Sequence, residues 1–154
     1  MDAAWLETYL HEHIPLSAAM QARVVALAPT GVTLEAPLAP NINHRETVFG
    51  GSIASLATLA AWSLVHARLR SEGLESRVVV MSSQIDYHAP AVGTFTAQCD
   101  APADSDWAFF TRTLTRRGRA RLTLTATVTS EGVLAATLTG TFVAIAAASE
   151  ESHS

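Results

Sequence analysis

Residues 119–129 alternate without a break. Arg119, Arg121, Thr123, Thr125, Thr127 and Thr129 take one side, and Ala120, Leu122, Leu124, Ala126 and Val128 the other. A period of two over this length predicts a strand with one buried face. Residues 20–28 and 32–38 also read as strands, joined through Pro29-Thr30-Gly31 as a hairpin. Residues 77–88 form a long strand closed by Pro90 and Gly93, and 94–101 and 133–146 complete the set, the last entered through Glu131-Gly132. Three segments follow helical spacing instead. Trp5, Leu6, Tyr9 and Leu10 share a face in 3–13, which Pro15 stops. Residues 50–71 are apolar nearly all round and end in charge at Arg68 and Arg70, with Gly73 placed as the C′ residue. Residues 105–118 put Trp107, Phe110 and Leu114 on one side, with Ser105 as the cap and Gly118 as the stop.

The order is therefore two strands, a long apolar helix, two strands, a short helix and two strands. Short turns between successive strands imply antiparallel pairing. A helix with no polar face must be covered by the sheet. An antiparallel six-stranded sheet wrapped around a long central helix satisfies that demand, and this is the hotdog fold of the α+β class.

Composition narrows the picture. The 154 residues suit one domain, expected over 1–148, with a polar tail at 149–154 expected to be disordered. A net charge of −4 argues against nucleic acid as a partner. Residues 50–67 carry no formal charge, but Ser52, Ser55, Thr58, Ser63 and His66 interrupt them. A helix buried in a soluble domain is expected there, not a membrane span. The start of the chain has no basic stretch followed by an apolar run, so a cytoplasmic location is expected. Cys99 is the single cysteine, which rules out an internal disulfide. His11 and His13 stand two apart on a helix and do not share a face, so no metal site is expected.

The stretch Pro40-Asn41-Ile42-Asn43-His44-Arg45-Glu46-Thr47-Val48-Phe49-Gly50-Gly51-Ser52 resembles the signature of the YiiD C-terminal domain family, and Leu56-Ala57, Leu59-Ala60, Trp62, Ile85, Tyr87 and Pro90 continue the match. The resemblance runs over about residues 19–146. It implies a hotdog thioesterase scaffold, and some members of the family look like malonyl-acyl-carrier-protein decarboxylases of fatty-acid synthesis initiation. It implies as partner an acyl thioester on the phosphopantetheine of acyl carrier protein or coenzyme A, with no other cofactor, and at least a homodimer. The chain departs from the pattern at Glu46, where the family often has glycine.

The residues themselves suggest chemistry at the head of the central helix. Free N–H groups at Gly50, Gly51 and Ser52 carry the positive end of the helix dipole, and glycines admit a ligand close to the backbone. That makes an oxyanion hole for a thioester oxygen. Helix packing alone would also explain the two glycines. Asn43 and Thr47 supply side-chain donors. Asn41, His44, Phe49, Thr58 and Tyr87 are expected to line the substrate, although Asn41 equally suits a turn and His44 a plain surface position. Many hotdog thioesterases carry a carboxylate nine residues after the His of a His-Gly-Gly motif. Here the two positions hold Phe49 and Thr58, and 50–67 contains no Asp or Glu.

Loss of CO2 from a malonyl thioester needs no such base, only stabilisation of the enolate oxygen and a poorly solvated carboxylate. The favoured expectation is thus malonyl-thioester decarboxylation. A thioesterase with Asp86 or Glu46 as base is the alternative, and a non-catalytic acyl-binding domain the third reading. Five of the ten arginines fall at 112–121. Among them Arg116 and Arg117 are expected to meet the carrier protein or the phosphates of the pantetheine arm, with a solvated helix terminus as the plain alternative.

Overall fold

The structure is a computed structural model and describes residues 1–147. The tail at 149–154 lies outside the described residues. Six strands form one sheet: β1 (Arg23–Ala28), β2 (Gly31–Ala36), β3 (Ser76–Tyr87), β4 (Phe95–Asp100), β5 (Arg119–Ser130) and β6 (Val133–Ala146). Their order is β1-β2-β4-β5-β6-β3, and every pairing is antiparallel. The sheet packs on helix α3 (Gly50–Ser71). Leu56, Leu64 and Leu69 of α3 are fully buried with Leu34, Phe95, Leu138 and Phe142 from the strands. Each buried leucine contributes about 2 kcal/mol through apolar area removed from water.

The alternation read at 119–129 is realised. Ala120, Leu122, Leu124, Ala126 and Val128 are buried, and threonines line the other side. There Thr123 and Thr141 hydroxyls bond across the strands at 2.9 Å. Helix α1 (Ala3–His13) packs through Leu6 and Leu10 and holds β1 and the residue before it by two polar contacts. The Val24 N–H donates to Glu7 Oε1 at 2.9 Å, and the His11 ring bonds the Ala22 carbonyl at 2.7 Å.

Three local readings change. Pro15 ends α1 but also opens a second helix, α2 (Pro15–Ala19), because proline's fixed φ and missing N–H suit a first helical position. The strand expected from residue 20 begins only at Arg23, since Gln21 turns the chain with φ +59°. Helix α4 (Asp104–Arg117) is entered at Ala103 without a side-chain cap, so Ser105 is not the cap. Asp104 and Asp106 supply first-turn negative charge instead. Gly118 (φ +73°) ends α4 and Gly73 (φ +73°) follows α3, as their positions required.

Beside β6, β3 forms one edge of the sheet. Its pairing slips between Val80 and Ser82. A bulge falls at Met81, and Val79, Val80 and Met81 are all substantially exposed on an edge with open backbone groups.

Candidate active site

The loop ahead of α3 is organised by one side chain. Asn43 Oδ1 accepts the N–H groups of Arg45 at 2.8 Å and Thr47 at 3.1 Å. Its Nδ2 donates to Thr47 Oγ1 at 2.9 Å. Main-chain bonds close the same turn, from the Asn43 N–H to the Thr47 carbonyl (2.8 Å) and from Glu46 back to Asn43 (3.1 Å). The Thr47 hydroxyl accepts from Asn43, so its own proton is free to point at a ligand. Asn43 and Thr47 thus form one intra-loop unit, and neither lines the two clefts described below.

Glu46 sits in the left-handed region at φ +65°. This explains why glycine suits the position. The turn demands a backbone conformation that a β-carbon resists, and this chain adopts it with a glutamate. The Glu46 side chain is exposed, as are His44 and Arg45.

Asn41 is placed differently. It is 3% exposed and spends both amide hydrogens on the carbonyls of Met20 (2.9 Å) and Pro37 (2.8 Å). Its carbonyl accepts the Phe49 N–H at 2.8 Å. It pins the loop to the turn before β1 and holds a structural place in the cleft wall.

At the head of α3 the Ser52 and Ile53 N–H groups return to the Phe49 carbonyl, which leaves Gly50 and Gly51 as the unpaired first-turn donors. No side chain caps this end and no acid stands in its first turn. The Phe49 ring lies directly on Gly51, so a β-carbon there would run into it. Tyr87, at the end of β3, donates its hydroxyl to the Gly50 carbonyl at 2.9 Å and packs its ring on Gly50.

A cleft of about 380 Å³ opens on this terminus, with Asn41, Phe49, Gly51, Ser52 and Ser55 in its wall. A second, strongly apolar cleft of about 330 Å³ lies further along α3, lined by Ile14, Thr58, Leu59, Trp62 and Val80. Leu16 and Ser55 border both. Together they follow the first half of α3, and apolar side chains, Leu16, Ala19, Met20 and Phe49 in the first and Leu59, Trp62 and Val80 in the second, predominate in both. No Asp, Glu or His lines either cleft. Thr58 uses its hydroxyl on the Ala54 carbonyl at 2.8 Å, within its own helix. Leu16 and Val80 were not singled out from sequence. The signal for Leu16 was the Pro15 helix start, and Val80 belongs to the inner face of β3, opposite Phe142.

Asp86 and His88 point away from this site. Tyr87 reaches Gly50 from one face of β3, so Asp86 lies on the other, opposite Thr137, whose hydroxyl bonds the His88 ring at 3.0 Å. Arg116 and Arg117 sit at the end of α4, both exposed and away from the two clefts. His66 lies deep on α3, stacked on Trp62 and Tyr9 with ring centroids 4.6 Å away in each case. Burial, then the charges of Arg70 and His13, push its pKa down to about 4, so it is neutral at pH 7. Its buried Nε2 has no hydrogen-bond partner among the described residues. Burial, then Asp100, pushes the Cys99 thiol up to about 12, which leaves it protonated and inert. Among the described residues, no cluster of three or more His, Cys, Asp or Glu is placed to hold a metal. No described helix is long and apolar enough to cross a membrane.

A six-stranded antiparallel sheet around one long helix, with a glycine-headed helix terminus at the cleft, defines a hotdog-fold protein. The chain belongs to the family described as "Putative thioesterase (yiiD_Cterm)", whose model matches residues 3–146. A solved structure from Chlorobaculum tepidum, described as of unknown function, is similar at 28% identity with a TM-score of 0.88, covering 93% of each chain. A "putative thioesterase" from Shewanella oneidensis is similar at 27% identity and TM-score 0.83, over 93% of this chain and 96% of that one. A Pseudomonas aeruginosa protein at 23% identity and TM-score 0.79 shares the fold over 93% of this chain and 95% of its own.

Proposed function

We propose that this protein decarboxylates a malonyl thioester, carried on acyl carrier protein or coenzyme A, to the acetyl thioester. One observation carries the reading: the α3 terminus offers several hydrogen-bond donors and no general base. In the reaction the bond between the malonyl α-carbon and its carboxylate breaks, CO2 leaves, and the electron pair moves onto the thioester oxygen. The Gly50 and Gly51 N–H groups and the Thr47 hydroxyl supply fixed donors for that oxyanion, and need no reorganisation as charge develops. Phe49 and the apolar floor deprive the departing carboxylate of water, which favours its loss as neutral CO2. The α-carbon then takes a proton from solvent water, leaving hydroxide to the buffer, and the acyl group stays on its carrier.

Hydrolysis is the second reading, favoured by the description of the family. It requires a base to activate water. Glu46 in the loop is the nearest carboxylate in sequence to the terminus, and it extends into solvent. The two reactions separate cleanly. A free-thiol assay on a malonyl thioester stays silent for decarboxylation, and a rise in thiol establishes hydrolysis.

The functional unit in this proposal is a homodimer. The open edge of β3, with Val79, Val80 and Met81 exposed along it, is the surface that supports this.

A further inference from the structure

The two clefts that share Leu16 and Ser55 run along one side of α3, and the residues α3 gives them grade from small to large. Gly51, Ser52, Ser55 and Thr58 come first, then Leu59 and Trp62. From Ser52 to Trp62 the helix rises about 15 Å. A malonyl group occupies only the head of that length.

The far cleft offers little to a polar ligand. The Thr58 hydroxyl is spent on the Ala54 carbonyl at 2.8 Å, and the Trp62 indole N–H on the Val78 carbonyl at 2.6 Å. Ser55, at the join, is the remaining polar side chain, and no charged one lines the cleft. The amides of a pantetheine arm would lose water there without finding replacement partners. An alkyl chain has no such cost and gains by burial. Trp62 is also held in place. Besides its bond to Val78 of β3, its ring stacks on His66 with centroids 4.6 Å apart, and His66 stacks on Tyr9 of α1. A ring fixed from two sides is a stop rather than a gate.

We propose that the far cleft takes an unbranched alkyl chain on the acyl group of the substrate, and that Trp62 sets the longest chain admitted. The inference rests on the reading of the protein as one that handles acyl thioesters with their carbonyl at the head of α3. It goes further by extending the substrate beyond malonyl and by assigning the residue that selects among lengths. With the carbonyl at Gly51, the distance to Trp62 holds an extended chain of roughly ten carbons, at about 1.5 Å per bond along a zigzag.

The test uses the whole protein and unbranched fatty acids from butanoate to myristate, whose carboxylate stands in for the thioester oxygen at the helix terminus. Affinity is read by titration calorimetry, with no reaction involved. Each added methylene should tighten binding about fourfold, until the chain reaches Trp62 and the gain stops. Trp62→Ala should move that limit to longer chains. Thr58→Phe, which fills the cleft nearer its entrance, should move it to shorter ones. A general loss of stability would not shift the limit in opposite directions. Thr58→Phe, at a partly buried position, also keeps the proposal falsifiable should removal of the indole unfold the protein. Affinity that does not vary with chain length, or a limit at the same length in all three proteins, overturns the proposal. So does absence of binding for every acid, the result expected if a second copy of the chain fills the cleft from the β3 edge. Because the readout is binding, failure to release CO2 from malonyl thioesters would strike the decarboxylase reading and leave the series standing. A flat series would strike this proposal with decarboxylation intact.

Discussion

At the scale of single residues, Thr47 is the donor on which the proposed chemistry leans most. Its hydroxyl receives the Asn43 amide at 2.9 Å and so presents its proton outward. Thr47→Val keeps the shape and removes the proton. We expect kcat for malonyl-thioester decarboxylation to fall about a hundredfold, the usual loss for one oxyanion donor, with a far smaller change in KM. Steady-state kinetics with the purified variant measure it, and an unchanged kcat removes Thr47 from the mechanism. Glu46 costs stability through its backbone. It holds φ +65°, a conformation that strains any residue with a β-carbon. Glu46→Gly relieves that strain and gives back part of it as unfolded-chain entropy, for a net gain of about 1 kcal/mol, or about 3 °C in Tm. A lower Tm in the glycine variant would mean that the glutamate side chain makes a contact that matters more than the backbone.

Among elements, the pairing of α1 with α3 has its own signature in pH. His66 of α3 lies under Tyr9 of α1 and beside Trp62, with its pKa lowered to about 4 from 6.5. In the unfolded chain it takes a proton below pH 6.5, whereas in the folded protein it stays neutral until about pH 4. The unfolded state therefore binds more protons across that window, and stability drops as pH falls through it. Melts at pH 7 and pH 5 should show a drop in Tm that shrinks in His66→Phe, which keeps the stack and cannot protonate; an equal drop in both proteins contradicts this origin. Element positions were largely legible because period-two and helical patterns report which face is buried. β5, α3 and the two glycine stops at Gly73 and Gly118 followed directly. The short helix α2 was hidden because proline both ends one helix and begins the next. The bulge at Met81 was hidden because a slip in pairing leaves no mark in a run of valines. At the site, the sequence pointed to the loop and the helix terminus as donors, and of these Asn41, Phe49, Gly51 and Ser52 line one cleft while Asn43 and Thr47 do not. It could not show that Asn43 spends its side chain on Arg45 and Thr47 within the loop, or that Asn41 has turned inward to hold Met20 and Pro37. Those assignments depend on which carbonyls lie within reach, and only the folded chain sets that.

For the molecule as a whole, the open edge of β3 sets the expected assembly. Val79→Asp places a charge on that edge, where negative design against strand pairing operates. Sedimentation at micromolar concentration should give twice the 16.3 kDa chain mass for the unaltered protein and the single-chain mass for the variant. A monomer in both removes the dimer proposal. The central claim concerns what the glycine-headed terminus does to a malonyl thioester. It is tested most directly by incubating the protein with malonyl-acyl carrier protein and malonyl-CoA and measuring the intact mass of each thioester. Decarboxylation predicts a decrease by the mass of CO2 with the acetyl group still attached to its carrier. Bare carrier with its thiol released would contradict the account and establish hydrolysis in its place.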